Sequence, residues 1–218
     1  MATSPLISRL IPTVAPRLPS SPQPPDARYL DQLNNILRLY FNQLDSLAGN
    51  LAGGQGGRFL NIPYGAFSSY ASQSMTVANT ATQVLMTQTD FSNGVSLSSS
   101  SMVVANSGIY NMQFSVQVEN DSNAPQDVYI WLKQNGVDIL GSTGKIGMPQ
   151  RKGVGDPSHD IKGWNYFLSM NAGDSVQIWW SATNVLVTIP TYIASILPTK
   201  PSTASVVATM TFVSALPA

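Results

Sequence analysis

The chain of 218 residues contains no cysteine, one histidine and little charge, with 11 basic and 11 acidic residues. Without cysteine, neither a disulfide framework nor a thiolate zinc site can form. The charged fraction of 10% lies far below the ~25% of average proteins, and the formal net charge is zero. Because phosphate binding needs a concentrated basic surface, we expect no nucleic-acid partner.

Long apolar runs are also missing. No run approaches the ~20 residues that a membrane span requires, so we expect no membrane insertion. Prolines at positions 5, 12 and 16 interrupt the weakly apolar N-terminus, and we expect no signal peptide there.

Ser, Thr, Asn and Gln replace the missing charge. Such surfaces suit proteins that pack against copies of themselves, because desolvating a charge is costly.

Composition divides the chain into four segments. Residues 1–25 contain seven prolines and predict an extended arm. Its many apolar residues favour docking on another protein, and a disordered tail is the alternative. Residues 26–51 predict a helix, residues 52–58 a glycine-rich linker, and residues 59–218 a β-domain.

The helix shows a heptad pattern. Asp26 is the expected N-cap, and Gly49 with Asn50 is the expected C-terminal stop. Spacings of three and four predict an apolar seam, which comprises Leu30, Leu33, Leu37, Tyr40, Leu44, Leu47 and Leu51. A helix this short is marginal in water unless its apolar face is covered. We interpret it as an oligomerisation or docking element; packing on its own β-domain is the alternative.

The β-domain shows a period of two. Residues 108–118 alternate apolar and polar side chains, as expected of a strand with one buried face. Asn135–Gly136 predicts a hairpin turn after the strand that ends near Lys133. Further strands are predicted at 66–77, 81–88, 100–106, 163–170, 175–182 and 204–214. Many short strands without a second helix predict an antiparallel sandwich or jelly roll.

The order of these signals resembles a known family. "SGIYNMQFSVQVEN", "VYIWLKQNGVDILGS", "LSMNAGDSVQIWWS" and "SVVATMTFVS" follow one another as in the tumour necrosis factor-like jelly roll. The similarity is to the globular head of complement-type proteins and related proteins of tailed-phage virions, over about residues 60–215. The segment "LRLYFNQL" also resembles N-terminal segments of structural proteins from marine tailed phages.

This resemblance implies a homotrimer of jelly rolls. Tyr129, Trp131 and Trp179 alternate with the Val/Ile/Leu stripes, so we place them on an outer face as the expected trimer interface. A carbohydrate-binding platform is the alternative for Trp131 and Trp179. The same alternation assigns Trp164, Tyr166 and Trp180 to the core.

Residues 142–163 are predicted to form one long, basic loop. Lys145, Arg151, Lys152 and Lys162 make it the expected partner-contact surface, and a mobile solvated loop is the alternative.

The sequence offers little catalytic chemistry. Ser158, His159 and Asp160 are adjacent, but a catalytic triad needs convergence in space, so we predict no enzyme. We also predict no cofactor and no resident metal, because no regular ligand spacing is present.

These features favour a structural protein of a tailed-phage virion, assembled in the host cytoplasm. In this interpretation residues 1–51 anchor the chain on other virion proteins, and the β-domain forms a fibre head or a capsid decoration. The alternative is a carbohydrate- or receptor-binding module for host attachment.

Overall fold

A helix precedes an all-β region in this chain. The structure is a computed structural model that describes residues 14–20, 26–52, 62–214 and 216, with the backbone alone for 49–52. Met1–Asn61 and Ile62–Ala218 form two separate units. Of the predicted arm, residues 14–20 have no regular secondary structure, and the remainder lies outside the described residues. Most of the predicted glycine linker also lies outside them.

The helix, α1, spans Ala27–Ala52. The Tyr29 amide donates a 2.7 Å hydrogen bond to Asp26 Oδ1, which confirms the predicted N-cap. The predicted stop at Gly49–Asn50 is wrong, because the helix continues through both residues. A glycine within a helix costs only about 1 kcal/mol and does not by itself end it. No helix in the described ranges is long and apolar enough to cross a membrane.

Sixteen strands follow within residues 62–214. They are β1 (Tyr64–Ser69), β2 (Gln73–Ser74), β3 (Thr82–Gln83), β4 (Gln88–Asn93), β5 (Val95–Ser98), β6 (Ser101–Val104), β7 (Gly108–Asn120), β8 (Gln126–Gln134), β9 (Val137–Asp138), β10 (Gly144–Met148), β11 (Ser158–Met170), β12 (Ser175–Ala182), β13 (Val187–Ile189), β14 (Ser195–Ile196), β15 (Thr199–Lys200) and β16 (Val206–Ser214).

Two antiparallel sheets contain most of these strands. In the first sheet, β7 pairs with β11 on one edge and with β16 and β13 on the other, and β16 continues to β1 and β4. In the second sheet the main order is β10-β8-β12-β6-β5. Four antiparallel pairs are nested in chain order: β1 with β16, β6 with β12, β7 with β11, and β8 with β10.

The core lies between the two sheets. Even-numbered residues of β7, from Tyr110 to Val118, are buried, as are Val176, Ile178 and Trp180 of β12. This alternation is the one that the sequence predicts, and it confirms an antiparallel all-β sandwich. Trp180 is fully buried as predicted, whereas Trp164 and Tyr166 are half-buried and pack against the edge of the core.

The predicted hairpin turn also forms. Asn135 and Gly136 both have positive φ, at 52° and 80°, which is the backbone of a tight hairpin turn between β8 and β9. After Met170, the Asp174 carboxylate accepts hydrogen bonds from the Asn171 amide and from Asn135 Nδ2. These bonds lower the pKa of Asp174, the backbone bond contributing most.

The prediction of one long loop over residues 142–163 is wrong. β10 occupies 144–148 and β11 begins at Ser158, so the loop between strands covers only residues 149–157. Ile146 and Met148 are buried, and this apolar alternation draws Gly144–Met148 into pairing with β8. At the other end β11 pairs with the full length of β7, which extends it beyond the predicted start at residue 163.

Candidate self-association surface

The outer face of the first sheet carries no charge over most of its area. Residues of β7 with odd numbers point away from the core, and the strand register places their neighbours beside them. The resulting rows are Phe167–Asn111–Thr211, Asn165–Gln113–Thr209, Gly163–Ser115–Val207 and Ile161–Gln117. We call this set the neutral face.

Large apolar side chains stand exposed on the neutral face. Ile161 is 61% exposed, Phe167 60% and Val207 40%. Beside Phe167, the buried Oδ1 atom of Asn111 has no hydrogen-bond partner among the described residues. Buried amide oxygens are nearly always bonded, so a partner that supplies a donor to Asn111 Oδ1 would satisfy this atom. The neutral face therefore has the chemistry of a surface that another protein covers.

A polar cluster marks one end of the neutral face. Tyr192 donates a 3.0 Å hydrogen bond to Glu119 Oε2, and its hydroxyl lies 2.9 Å from His159 Nδ1. Glu119 and His159 are partners in the β7–β11 register, and 3.6 Å separates Glu119 Oε2 from His159 Nδ1. Burial, and then the neighbouring Glu119, raise the pKa of the Tyr192 hydroxyl.

The predicted interface residues lie on the second sheet. Trp131 and Trp179 face each other across β8 and β12, and Tyr129 is two residues away on β8. All three are half-buried. Trp131 Nε1 donates to Asp138 Oδ1 at 2.7 Å, and the Lys133 ammonium lies 4.3 Å from the centre of the Trp179 ring. These aromatics are outward-facing as predicted, but they are less exposed than the apolar residues of the neutral face.

The four predicted contact cations lie on three different elements. Lys145 on β10 contacts Asp127 at 2.8 Å, which raises the pKa of Lys145 chiefly through that hydrogen bond. Arg151 and Lys152 lie in the loop 149–157; Arg151 Nη1 donates to the Asp121 carbonyl at 3.2 Å, and Lys152 lies 4.0 Å from Asp156. Lys162 is on β11, 2.6 Å from Asp160.

The predicted apolar seam lies along one side of α1. Leu30 is exposed, while Leu33, Leu37, Tyr40, Leu44 and Leu47 are half-buried. The side chain of Leu51 lies outside the described residues. Off the seam, Leu39 and Phe41 are also exposed, at 60% and 57%.

Ser158, His159 and Asp160 diverge in space. Ser158 is buried and donates to the Pro149 carbonyl at 2.7 Å, His159 faces Tyr192 on the outer side, and Asp160 pairs with Lys162. Alternation along β11 thus sends neighbouring side chains to opposite faces. Among the described residues, no three His, Asp or Glu side chains are grouped so that they could hold a metal ion.

Strand alternation alone does not distinguish the neutral face from a solvated face, because polar side chains on the outer half of a strand are the usual case. The available signal was the missing charge: between residues 175 and 218 the only charged residue is Lys200. No protein-family model matches this chain, and no curated protein matches it.

Proposed function

We propose that this chain is a non-enzymatic structural protein that assembles as a homotrimer through the neutral face. The observation that carries the proposal is an outer sheet face that combines exposed Phe167 and Ile161 with uncharged neighbours. It also contains an Asn111 oxygen to which no described residue donates a hydrogen bond. A face of this kind associates without desolvating charge, and each copy brings the same chemistry to the contact.

The sandwich is a jelly roll in this proposal. The strands of the four nested pairs are β1, β6, β7, β8, β10, β11, β12 and β16. In chain order, the first of these eight pairs with the last, the second with the seventh, the third with the sixth and the fourth with the fifth. That nesting is what results when one long antiparallel hairpin wraps into two sheets, as jelly rolls do. It supports the resemblance to tumour necrosis factor-like and complement-type heads, and that resemblance in turn favours a trimer.

The particle is a tailed-phage virion in this proposal. Residues 1–51 would anchor the chain on other virion proteins, with the seam of α1 as the docking or oligomerisation element, and the β-unit would project as a fibre head or decoration. The support is the resemblance of the helix and of the strand order to phage virion proteins, together with an apolar helical seam that needs a cover. Assembly would take place in the host cytoplasm.

Light scattering of the full chain tests the self-association. We expect the mass of a trimer for the natural chain and dissociation on Gln113→Lys, because Gln113 is exposed at the centre of the neutral face. A lysine there keeps the subunit folded but must be desolvated in the assembly. Ser96→Lys is the control, since Ser96 is an equally exposed strand residue on the second sheet. A monomeric natural chain would overturn the proposal.

A carbohydrate- or receptor-binding role is the second candidate. The observation that favours it is the cross-strand pair of Trp131 and Trp179, whose indole N–H groups are held by Asp138 and Gln177. Fixed aromatic faces bordered by polar groups suit sugar stacking. Titration of tryptophan fluorescence with host polysaccharide checks it, and Trp131→Ala must abolish any response.

A further inference from the structure

A short projection, residues 191–203, leaves the first sheet beside β7. It emerges between β13 and β16. β13 pairs with Glu119 and Asn120 at one end of β7, and β16 pairs along most of the remainder. Tyr192 and Thr203 close its base with two backbone hydrogen bonds, of 3.2 and 2.8 Å. Its two strands are β14 and β15. We call this projection the finger.

The base of the finger lies at one end of the neutral face. Tyr192 reaches across β7, because its hydroxyl contacts both Glu119 on β7 and His159 on β11, the strand at the far edge. Both of these side chains point outward from the first sheet. The finger therefore starts on the side of the sheet that the proposed association uses.

The tip of the finger displays apolar side chains in a hydrogen-bonded frame. Ile193 and Ile196 are each 83% exposed and Leu197 is 88% exposed. Hydrogen bonds of 2.6 Å from Ser195 Oγ to the Pro198 carbonyl and of 3.0 Å from Thr199 Oγ1 to the Ile196 carbonyl hold the hairpin. Exposed apolar groups on a fixed frame gain stability when a partner covers them.

The finger carries a single charged residue, and that residue contacts the finger itself. The residue is Lys200, whose ammonium donates to the Ile193 carbonyl at 2.7 Å and lies 5.5 Å from the centre of the Tyr192 ring. The exposed tip residues are uncharged and match an uncharged surface that displays apolar side chains. The neutral face of another copy offers such a surface.

We propose that the finger of each copy packs against the adjoining copy of the same chain and extends the trimer contact beyond the neutral face. This inference rests on the proposed homotrimer. It assigns the second copy as the occupant because the finger begins on the association side and shares the uncharged chemistry of that side.

A photo-crosslinking residue at position 197 of the full chain tests the contact. Benzoylphenylalanine at Leu197 should give covalent dimers and trimers on irradiation, and mixing isotopically heavy and light chains should show adducts between copies. The control places benzoylphenylalanine at Leu140, which is 96% exposed and follows β9 of the second sheet. This control should give no adducts between copies. Adducts confined to one chain at position 197 would overturn the inference.

Affinity gives an independent measurement. Replacing Ile193, Ile196 and Leu197 by serine should raise the concentration of half-dissociation at least about tenfold, because three apolar side chains per copy lose their cover. Leu140→Ser with Val154→Ser is the matched control, since both are exposed above 90% in other loops. A natural chain that is monomeric refutes the homotrimer itself. If the natural chain is a trimer but the finger variant dissociates at the same concentration as the control variant, the finger contact alone is refuted.

Discussion

At the scale of single residues, Gly163 shows how closely β11 and β7 approach. A Cβ added at Gly163 would lie 2.1 Å from the carbonyl oxygen of Phe114, a backbone atom that cannot move aside. We expect Gly163→Ala to lower the free energy of unfolding by about 2 kcal/mol or more, because it forces the two strands apart. Urea denaturation measures this change.

Gly147 provides the control for that substitution. It is also a strand glycine, on β10, but a Cβ there would meet nothing within 4 Å. Gly147→Ala should leave the free energy of unfolding within about 0.5 kcal/mol of the natural value or raise it slightly. Equal losses for the two variants would contradict the close approach at Gly163.

Tyr192 makes the free energy of unfolding depend on pH in the alkaline range. Burial and Glu119 raise the pKa of its hydroxyl in the folded protein above the ordinary 10.0. A group whose pKa is raised on folding stabilises the fold fully below its unfolded pKa, and this contribution falls as pH rises above that value. The stability advantage of the natural chain over Tyr192→Phe should therefore be constant to about pH 9 and shrink above pH 10.

Thermal unfolding of both proteins from pH 7 to pH 11 measures this difference, and the other tyrosines cancel in the comparison. A difference that stays constant across the whole range would show that the phenol is not held neutral by its surroundings.

The Tyr192→Phe variant also removes the hydroxyl that links the finger to Glu119 and His159. Accelerated proteolysis within residues 191–203 is thus expected in Tyr192→Phe.

At the scale of elements, the seam of α1 makes a separable prediction. Leu37→Asn together with Leu44→Asn should weaken assembly of the full chain if the helices pack on one another, because both side chains lie on the apolar seam. Leu39→Asn is the control, since Leu39 is 60% exposed and lies off the seam. Sedimentation velocity measures the assembly of both variants. Equal sedimentation coefficients for the two would show that the seam takes no part in assembly.

Sequence alone predicts the elements whose alternation is complete. β12 has the predicted bounds, and β7 exceeds its prediction by two residues, because apolar and polar side chains alternate there without interruption. β11 begins five residues before its predicted start, since "PSHD" reads as a turn and only pairing with β7 makes it a strand. β4 and β13 carry little local signal, and their neighbours in the sheet determine them.

The candidate surface was harder to predict than the fold. Which of two outer faces is exposed depends on how side chains such as Lys133 and Asp138 cover their neighbours, and this cannot be read from alternation. Trp131 and Trp179 are conspicuous in the sequence yet half-buried, whereas Phe167 and Ile161 are exposed. Aromatic content therefore points to the second sheet, whereas absence of charge points to the first.

At the scale of the whole molecule, the two units allow the contributions of helix and sandwich to be separated. The β-unit begins at Ile62 and contains the neutral face and the finger complete. If these surfaces suffice for assembly, a chain that starts at Arg58 should still form trimers. Loss of α1 should then raise the concentration of half-dissociation without changing the stoichiometry, because linked helices increase the effective concentration of the β-units.

Light scattering of the full chain and of the shortened chain over a range of concentrations measures both effects. A trimer of the full chain alone would make α1 the organiser and reduce the neutral face to a minor contact. Trimers of both would leave the helix seam free to bind another protein, because the sandwich would already hold the copies together. Monomers of both would refute association through the neutral face and through the finger, and Trp131 with Trp179 would become the surface to test, with host polysaccharide as the ligand.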